Sequence, residues 1–401
     1  MAERHEVVFV DGVRTPFGRA GEKGMYWNTR ADDLIVKAIV GLLERNPDLP
    51  QDRIDEVAIA ATTQQGDQGL TLGRTAALLA GLPKSVPGFA IDRMCAGAMT
   101  SVTTLAGGIA FGAYDLTLAG GVEHMGRHPM GFGADPNPRF LAEKLVSAEA
   151  LNMGSTAERI HDRFPELTKE RSDRYALASQ QKAAAAYENG KLQPDLIPVS
   201  IRSESGWGLA TRDEALRPET TLEGLAGLKT PFRPHGRVTA GNASGLNDGA
   251  TISLLASEAA AKELGLTAKM KLVSFAFAGV EPEIMGIGPV PSTEKALKKA
   301  GLSITDIGLF ELNEAFAVQV LSLLDHFGIA DDDPRVNQWG GAIAMGHPLA
   351  SSGVRLMIQL AAQFEERPDV RYGLTAMCVG LGQGGSVIWE NPYFDGKKKK
   401  K

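Results

Sequence analysis

The stretch Asp306-Ile307-Gly308-Leu309-Phe310-Glu311-Leu312-Asn313-Glu314-Ala315-Phe316-Ala317 runs on through a helical pattern to Gly340-Gly341-Ala342-Ile343-Ala344-Met345-Gly346-His347-Pro348. An acidic residue, a short apolar strand, a helix and then a glycine-rich approach to one reactive side chain make up this unit. The same order occurs once before. Asp55 precedes the strand Val57–Ala61, the helix Leu72–Leu79 follows, and Pro87–Ile91 leads to Cys95. Cys95 lies 40 positions after Asp55, and His347 lies 41 after Asp306. Repetition at matched spacing predicts a duplicated α/β unit carrying reactive side chains at equivalent places.

Working outward, Glu6–Val10 reads as a buried strand, Ala31–Leu43 as a helix, Met99–Ala110 as a helix and Leu116–Gly121 as a strand. In the second half Lys271–Phe277 reads as a strand, Ser292–Ala300 as a helix, Ile307–Leu312 as a strand and Ala315–Phe327 as a helix. Gly353–Phe364 is a further helix, and the strand Tyr372–Met377 runs into Cys378. Between the halves, residues 122–245 are rich in Pro and Gly around one long helix, Lys169–Asn189, which predicts an inserted, loop-rich segment. The expected organisation is an N-terminal half over residues 1–121, the insert over 122–245, a return segment over 246–270, a C-terminal half over 271–394 and a tail over 395–401.

The chain has 401 residues, 43% of them hydrophobic and 22% charged, with 46 glycines, the composition of a globular protein with many tight turns. A net charge of -6 argues against a nucleic-acid partner, yet leaves room for a local cationic site that takes an anionic substrate. Only two cysteines, no signal-like N-terminus and no apolar run of roughly 18 residues point to a reducing, cytoplasmic setting without a membrane span. Two cysteines without paired spacing do not make a metal site. The Lys397–Lys401 run after a glycine reads as a solvated tail.

Four residues could carry chemistry. Cys95, in Asp92-Arg93-Met94-Cys95-Ala96-Gly97-Ala98-Met99, sits where a helix begins, a position expected to lower a thiol pKa. It also fits a small buried hydrophobe. His347 can act as a base at neutral pH, or be a turn histidine with a satisfied ring. Cys378 ends a strand and precedes four glycines within seven residues, either as an exposed thiol facing backbone donors or as a buried strand cysteine. Asn313 could hold a water or donate to an oxyanion, or simply cap the next helix. Among the other histidines, His124 and His128 come next.

At these residues the chain resembles the thiolase family over nearly its whole length. The blocks are Cys95 with its small followers, Gly120-Gly121-Val122-Glu123-His124-Met125, Thr239-Ala240-Gly241-Asn242-Ala243-Ser244-Gly245-Leu246-Asn247-Asp248-Gly249-Ala250, Asn313-Glu314-Ala315-Phe316-Ala317, Gly346-His347-Pro348 and Cys378-Val379-Gly380. The resemblance implies the thiolase fold, two βαβαβαββ halves packed in five layers with an inserted loop domain. It implies Cys95 as the acyl-carrying nucleophile, His347 as its activator, Asn313 as holder of an oxyanion-hole water, and Cys378 as the acid and base at the α-carbon. The N–H groups of Cys95 and Gly380 would form a second oxyanion hole. Met153, Arg217, Leu228, Phe232, Ser244, Met285 and Phe316 match the contacts to coenzyme A and its pantetheine. Coenzyme A is then a co-substrate with 3-ketoacyl-CoA, no bound cofactor is needed, and a homodimer or homotetramer is implied, with a hydratase/dehydrogenase subunit as a possible partner. Ala96 stands where relatives often have Ser or Gly, and Asn152 where many biosynthetic acetoacetyl-CoA thiolases have His. Gly120–Met130 and Arg217–Thr220 look more like the degradative fatty-acid type. The alternatives are a biosynthetic acetoacetyl-CoA thiolase and a non-catalytic acyl-CoA-binding homologue; the second thiol, Cys378, speaks against a decarboxylating condensing enzyme.

Overall fold

In the computed structural model, which describes residues 4–203 and 206–396, the N-terminal half runs β1 (Val7–Arg14), α1 (Ala31–Arg45), β2 (Glu56–Ala60), α2 (Leu72–Leu79), β3 (Gly88–Ile91), α3 (Gly97–Phe111) and β4 (Leu116–His124). The chain then leaves the sheet for an excursion containing α4 (Met153–Arg163) and α5 (Lys169–Glu188), and returns as β5 (Asn247–Ser257). The second half runs β6 (Met270–Gly279), α6 (Pro289–Ala300), β7 (Ile307–Leu312), α7 (Ala317–Phe327), α8 (Ser352–Glu366), β8 (Tyr372–Val379) and β9 (Gln383–Glu390). The basic tail lies outside the described residues.

Strand order establishes the duplication. β3, β2 and β4 are parallel neighbours, and β5 and β1 continue the sheet antiparallel. In the other half Val336 bridges Phe310 in parallel, β7 and β8 are parallel, and β9 and β6 continue antiparallel. The two five-membered patterns are the same, except that the counterpart of β3 has shrunk to the single bridge at Val336. A two-residue pairing, Val8 with Lys271 and Phe9 with Met270, joins the halves.

Burial sorts the helices into layers. α1 is amphipathic, and Leu34, Ile35, Ile39 and Leu42 cover one face of the first half-sheet together with α2. α6 and α7 cover the outer face of the second half-sheet. α3 and α8 are buried over most of their surface and share one apolar cluster that includes Phe9, Met99, Val354, Leu356, Met377 and Trp389. A helix apolar on most sides belongs between two layers, so α3 and α8 form the middle of five. The segment Met94–Phe111 is thus 18 residues long and apolar enough to span a membrane by composition, which corrects the expectation that no such run exists. Its burial between the half-sheets accounts for that composition.

Other departures are local. β4 continues to His124, so the excursion starts three residues later than its composition suggests. β5 and β9 escaped sequence reading. β5 is buried at every position, so no polar/apolar alternation marks it, and β9 opens on Gln383-Gly384-Gly385, which reads as a turn. α7 begins at Ala317, two residues later than its apolar spacing suggests, because Phe316 is extended and pairs with Ala243 there.

Candidate active site

Cys95 occupies a short 3-10 turn, Met94–Ala96, directly before α3. Met94 adopts φ 44°, left-handed backbone that a non-glycine residue takes only when its surroundings impose it. The thiol is 7% exposed, whereas Cys378, at the end of β8, is fully buried. The backbone amides of Gly380 and of Cys95 itself favour the thiolate of Cys95, and Cys378 feels the charge of Cys95. Both cysteines are free thiols.

The helix-start position does not leave Cys95 with a lowered pKa, as its sequence context suggested. Burial pushes the thiol up to about 12, the two N–H donors offset part of that rise, and the Glu123 carboxylate adds to it. Burial raises Cys378 as well. His347 moves the other way: desolvation, with Arg355 second, lowers it to about 3. The resting site therefore holds two neutral thiols and a neutral imidazole.

The imidazole is fixed on both edges. Its Nδ1 lies 2.6 Å from Ser352 Oγ, and Ser352 Oγ also reaches the Pro348 carbonyl at 2.9 Å. A hydroxyl that donates to the carbonyl must accept from Nδ1–H, which leaves Nε2 as the free base. Nε2 faces Asn313 Nδ2 at 3.3 Å. The His347 backbone N–H donates to Asn247 Oδ1 at 2.9 Å, and Asn247 packs against Gly346, whose φ of 104° requires glycine.

Asn313 is no helix cap. Its N–H donates to the Ala376 carbonyl of β8 at 2.9 Å, and its side chain is fully buried between His347 and Arg355. Next to it, the buried Glu314 carboxylate accepts from Tyr175, Ser179, Asn337 and the Ile343 N–H, tying α5 and the His347 approach to the end of β7. On the Cys95 side, the buried Glu123 carboxylate accepts from the N–H groups of Thr62 and Ala350, binding the end of β4 to the segment after His347. Asn247, Glu314 and Glu123 lie inside motif blocks that stood out in the sequence, but only the fold shows what they hold. The His124 and His128 rings point elsewhere: His124 Nε2 lies 2.9 Å from the Tyr26 carbonyl while its backbone N–H donates to Gln68, which donates to Glu123, and His128 pairs with Asp67.

The residues expected to contact coenzyme A gather around the excursion. Met153 begins α4 with its sulfur beside Gly380, and the Phe232 ring covers Gly154. Leu228 lies over Gly241. Ser244 Oγ donates to the Ala315 carbonyl at 3.2 Å, and Phe316 shares an apolar cluster with the almost fully buried Met285. Leu228 and Phe232 stay more than a third exposed. Arg217 is exposed, its N–H bonded to Gln180, which in turn bonds the Ile343 carbonyl. Among the described residues no three metal-ligating side chains gather.

Duplicated half-sheets that carry Cys95 and His347 at equivalent steps, with Cys378 close enough to feel the charge of Cys95, are the arrangement of an acyl-transferring enzyme of the thiolase type. Family models confirm this class: residues 7–259 match the thiolase N-terminal domain and residues 266–391 the thiolase C-terminal domain. The chain belongs to the thiolase family, whose members use coenzyme A as co-substrate. It is 44% identical to a 3-ketoacyl-CoA thiolase of Photobacterium profundum, over 96% of this chain and 99% of that one. It is 43% identical to a 3-oxoadipyl-CoA/3-oxo-5,6-dehydrosuberyl-CoA thiolase of Escherichia coli, with the same coverage. The crystal structure of human mitochondrial 3-ketoacyl-CoA thiolase superposes with a TM-score of 0.88 at 34% identity, over 97% of this chain and all of that one.

Proposed function

We propose that this enzyme cleaves 3-ketoacyl-CoA with coenzyme A, giving acetyl-CoA and a shortened acyl-CoA, through an acyl thioester on Cys95. The observation that carries this reading is the setting of Cys95: it is the more open of the two thiols, on a turn that packs against the segment just after His347, with the Gly380 backbone alongside.

Its proton passes to His347 Nε2 as the sulfur attacks the 3-keto carbon. The oxyanion there lies against the N–H groups of Cys95 and Gly380. The carbon–carbon bond then breaks, and the leaving acetyl-CoA enolate holds its oxygen against His347 and the water of Asn313 while Cys378 protonates its α-carbon. In the second half-reaction the Cys378 thiolate takes the proton of incoming coenzyme A. The resulting thiolate attacks the acyl-enzyme, and Cys95 leaves and recovers its proton from His347. In this second half-reaction a thioester is exchanged for a thioester, so that step runs easily in either direction.

The middle segment, 122–245 by composition, carries the pantetheine contacts at Met153, Leu228 and Phe232, with Arg217 at its outer end and Ser244, Met285 and Phe316 as the wall beside Asn313. The E. coli relative favours a second substrate reading, a 3-keto dicarboxylyl-CoA, and rates with acetoacetyl-CoA, longer 3-ketoacyl-CoA and 3-oxoadipyl-CoA decide between them. Two unpaired thiols fit a reducing compartment, and we place the enzyme in the cytoplasm as a homodimer or homotetramer able to meet a hydratase/dehydrogenase subunit.

The test is mass spectrometry after incubation with acetyl-CoA, alongside turnover. Wild type gains one acetyl group on Cys95. Cys95→Ala gains none and is inactive, and Cys378→Ala still acetylates but turns over far more slowly. Full turnover in either variant overturns the roles.

A further inference from the structure

α8 is a central-layer helix, yet one of its faces carries Arg355, Gln359 and Gln363 at four-residue intervals, all buried. Opposite them β7 presents Glu311 and, two residues on, Asn313, which share a face of the strand. Gln363 Nε2 donates to Glu311 Oε1 at 2.6 Å, and Arg355 Nη1 donates to Gln359 Oε1 at 2.6 Å. Arg355 Nη2 donates to Asn313 Oδ1 at 3.1 Å. The nearest acid to this guanidinium is Glu311, whose Oε2 lies 3.7 Å from Nη1, and Arg355 Nε and Glu311 Oε2 make no hydrogen bond. A buried arginine whose carboxylate partner is too far for a hydrogen bond costs stability, so its direct hydrogen bond to Asn313 needs a reason beyond folding.

The chemistry of that contact supplies one. A guanidinium can only donate, so the oxygen of the Asn313 carboxamide must face Arg355, and the amide nitrogen must then face His347 Nε2. Without the guanidinium, either end of the amide could face the imidazole, and the reversed one would turn an acceptor toward an oxyanion. We propose that Arg355 is a positioning residue for the reaction, holding the Asn313 carboxamide so that its N–H groups face His347 and the substrate oxygen. The proposal rests on the role given above to Asn313 and His347. Arg355 has a second effect on the same site, since its positive charge disfavours the imidazolium and supports the neutral base.

Several titratable groups lie on the elements packed around the His347 segment. Arg355 comes from α8, Glu311 and Glu314 from β7 and its end, Cys378 from β8, and Cys95 from the turn before α3. Glu123 bonds the Ala350 N–H, and the Arg14–Asp213 pair sits beside Met345. Of these, Arg355 is the one whose charge moves His347.

The experiment compares full-length Arg355→Met, Arg355→Lys, Asn313→Ala, the Asn313→Ala/Arg355→Met double variant and Glu311→Gln. It measures acetylation of Cys95 by acetyl-CoA and steady-state thiolysis of acetoacetyl-CoA against pH, with thermal melting as the check of folding. Arg355→Met is expected to lower kcat by about 10²-fold, the scale of a misplaced catalytic group, with KM for coenzyme A unchanged. Its acid limb moves to higher pH, because loss of the positive charge makes His347 easier to protonate. Arg355→Lys keeps the limb in place but is also slow, since one ammonium cannot reproduce the fork. The double variant is no slower than Asn313→Ala alone, and Glu311→Gln shifts melting without shifting the limb. Folded Arg355→Met with the kcat and limb of wild type overturns the clamp while leaving the role of Asn313 standing if Asn313→Ala is slow. If Arg355→Met does not fold, Arg355→Lys decides, and a wild-type rate there overturns the clamp. A wild-type rate in Asn313→Ala overturns the reading on which the clamp depends.

Discussion

Gly380→Ala separates the geometry of the Cys95 site from its inventory of donors, because alanine keeps the N–H that points at the sulfur. A methyl group on Gly380 would lie 2.6 Å from Met94 Sδ and 3.5 Å from Met153 Sδ. Comfortable carbon contacts begin at about 3.5 Å, so the Met94 sulfur must retreat by about 1 Å while Met153 barely moves. The Met94 sulfur ends a flexible side chain, so the substitution reaches the site only if the Met94 backbone moves with it. Met94 is already held at a positive φ, and its backbone leads directly into Cys95. A displacement of that size at a reacting group costs about 10²-fold in rate, equivalent to ~2.7 kcal/mol of barrier, against an overpacking cost to stability of ~1–3 kcal/mol. The assay is rapid-quench acetylation of Cys95 by acetyl-CoA, with melting as control. A second variant, Met94→Ala in the Gly380→Ala background, removes the clashing sulfur and should restore much of the rate. Gly380→Ala acetylating at the wild-type rate would refute the argument, as would failure of the second substitution to help a well-folded protein.

Gly346→Ala should lower the melting temperature by a cost of ~1–3 kcal/mol, because φ 104° strains any side chain there and the new methyl would lie 2.7 Å from Asn247 Cγ; differential scanning calorimetry that shows no loss contradicts this. The acid limb of Cys95 acetylation should fall below the ordinary imidazole value, because His347 is lowered to about 3 and its base form survives as pH falls; a limb at or above about 6.5 would exclude His347 as the base. Asp248, raised to about 7 mainly by burial, binds its proton more tightly folded than unfolded, so its contribution to stability declines as pH rises from the ordinary carboxyl range to about 7. Asp248→Asn should therefore raise the melting temperature at pH 8 and do little at pH 5, and the opposite ranking would refute the assignment.

How much the sequence revealed follows from which forces write themselves into local pattern. The halves were legible because matched spacing survives where residue identity does not, and Asp55 and Asp306 mark the same strand entry in each. The amphipathic α1 showed its period, while β5 and β9 did not, since a strand buried on both faces has no alternation to show. Cys95, Asn313, His347 and Cys378 stood out by type and context. Their protonation did not, because the dipole at the start of α3 is a local effect and burial by β8 and the excursion is not. Arg355 carried a signal that went unread: an arginine followed by two glutamines at helical spacing inside an otherwise apolar segment.

Duplication also explains why such distant residues meet. α3 and α8 occupy equivalent places in their halves and cross in the middle layer with their first turns in contact. A methyl on Gly97 would lie 3.0 Å from the Ala350 methyl, and one on Gly353 would lie 2.5 Å from the Met99 nitrogen. Each half thus gives a glycine to the other's helix entry, two residues after Cys95 on one side and six after His347 on the other. The close approach sets the nucleophile turn against Leu349–Ser351, directly behind the imidazole. Each side chain follows the same topological step, from the strand position next to β2 or β7 into the central helix. The step ends in a thiol in one copy and an imidazole in the other, the pair to which the proposed cycle gives the parts of nucleophile and base.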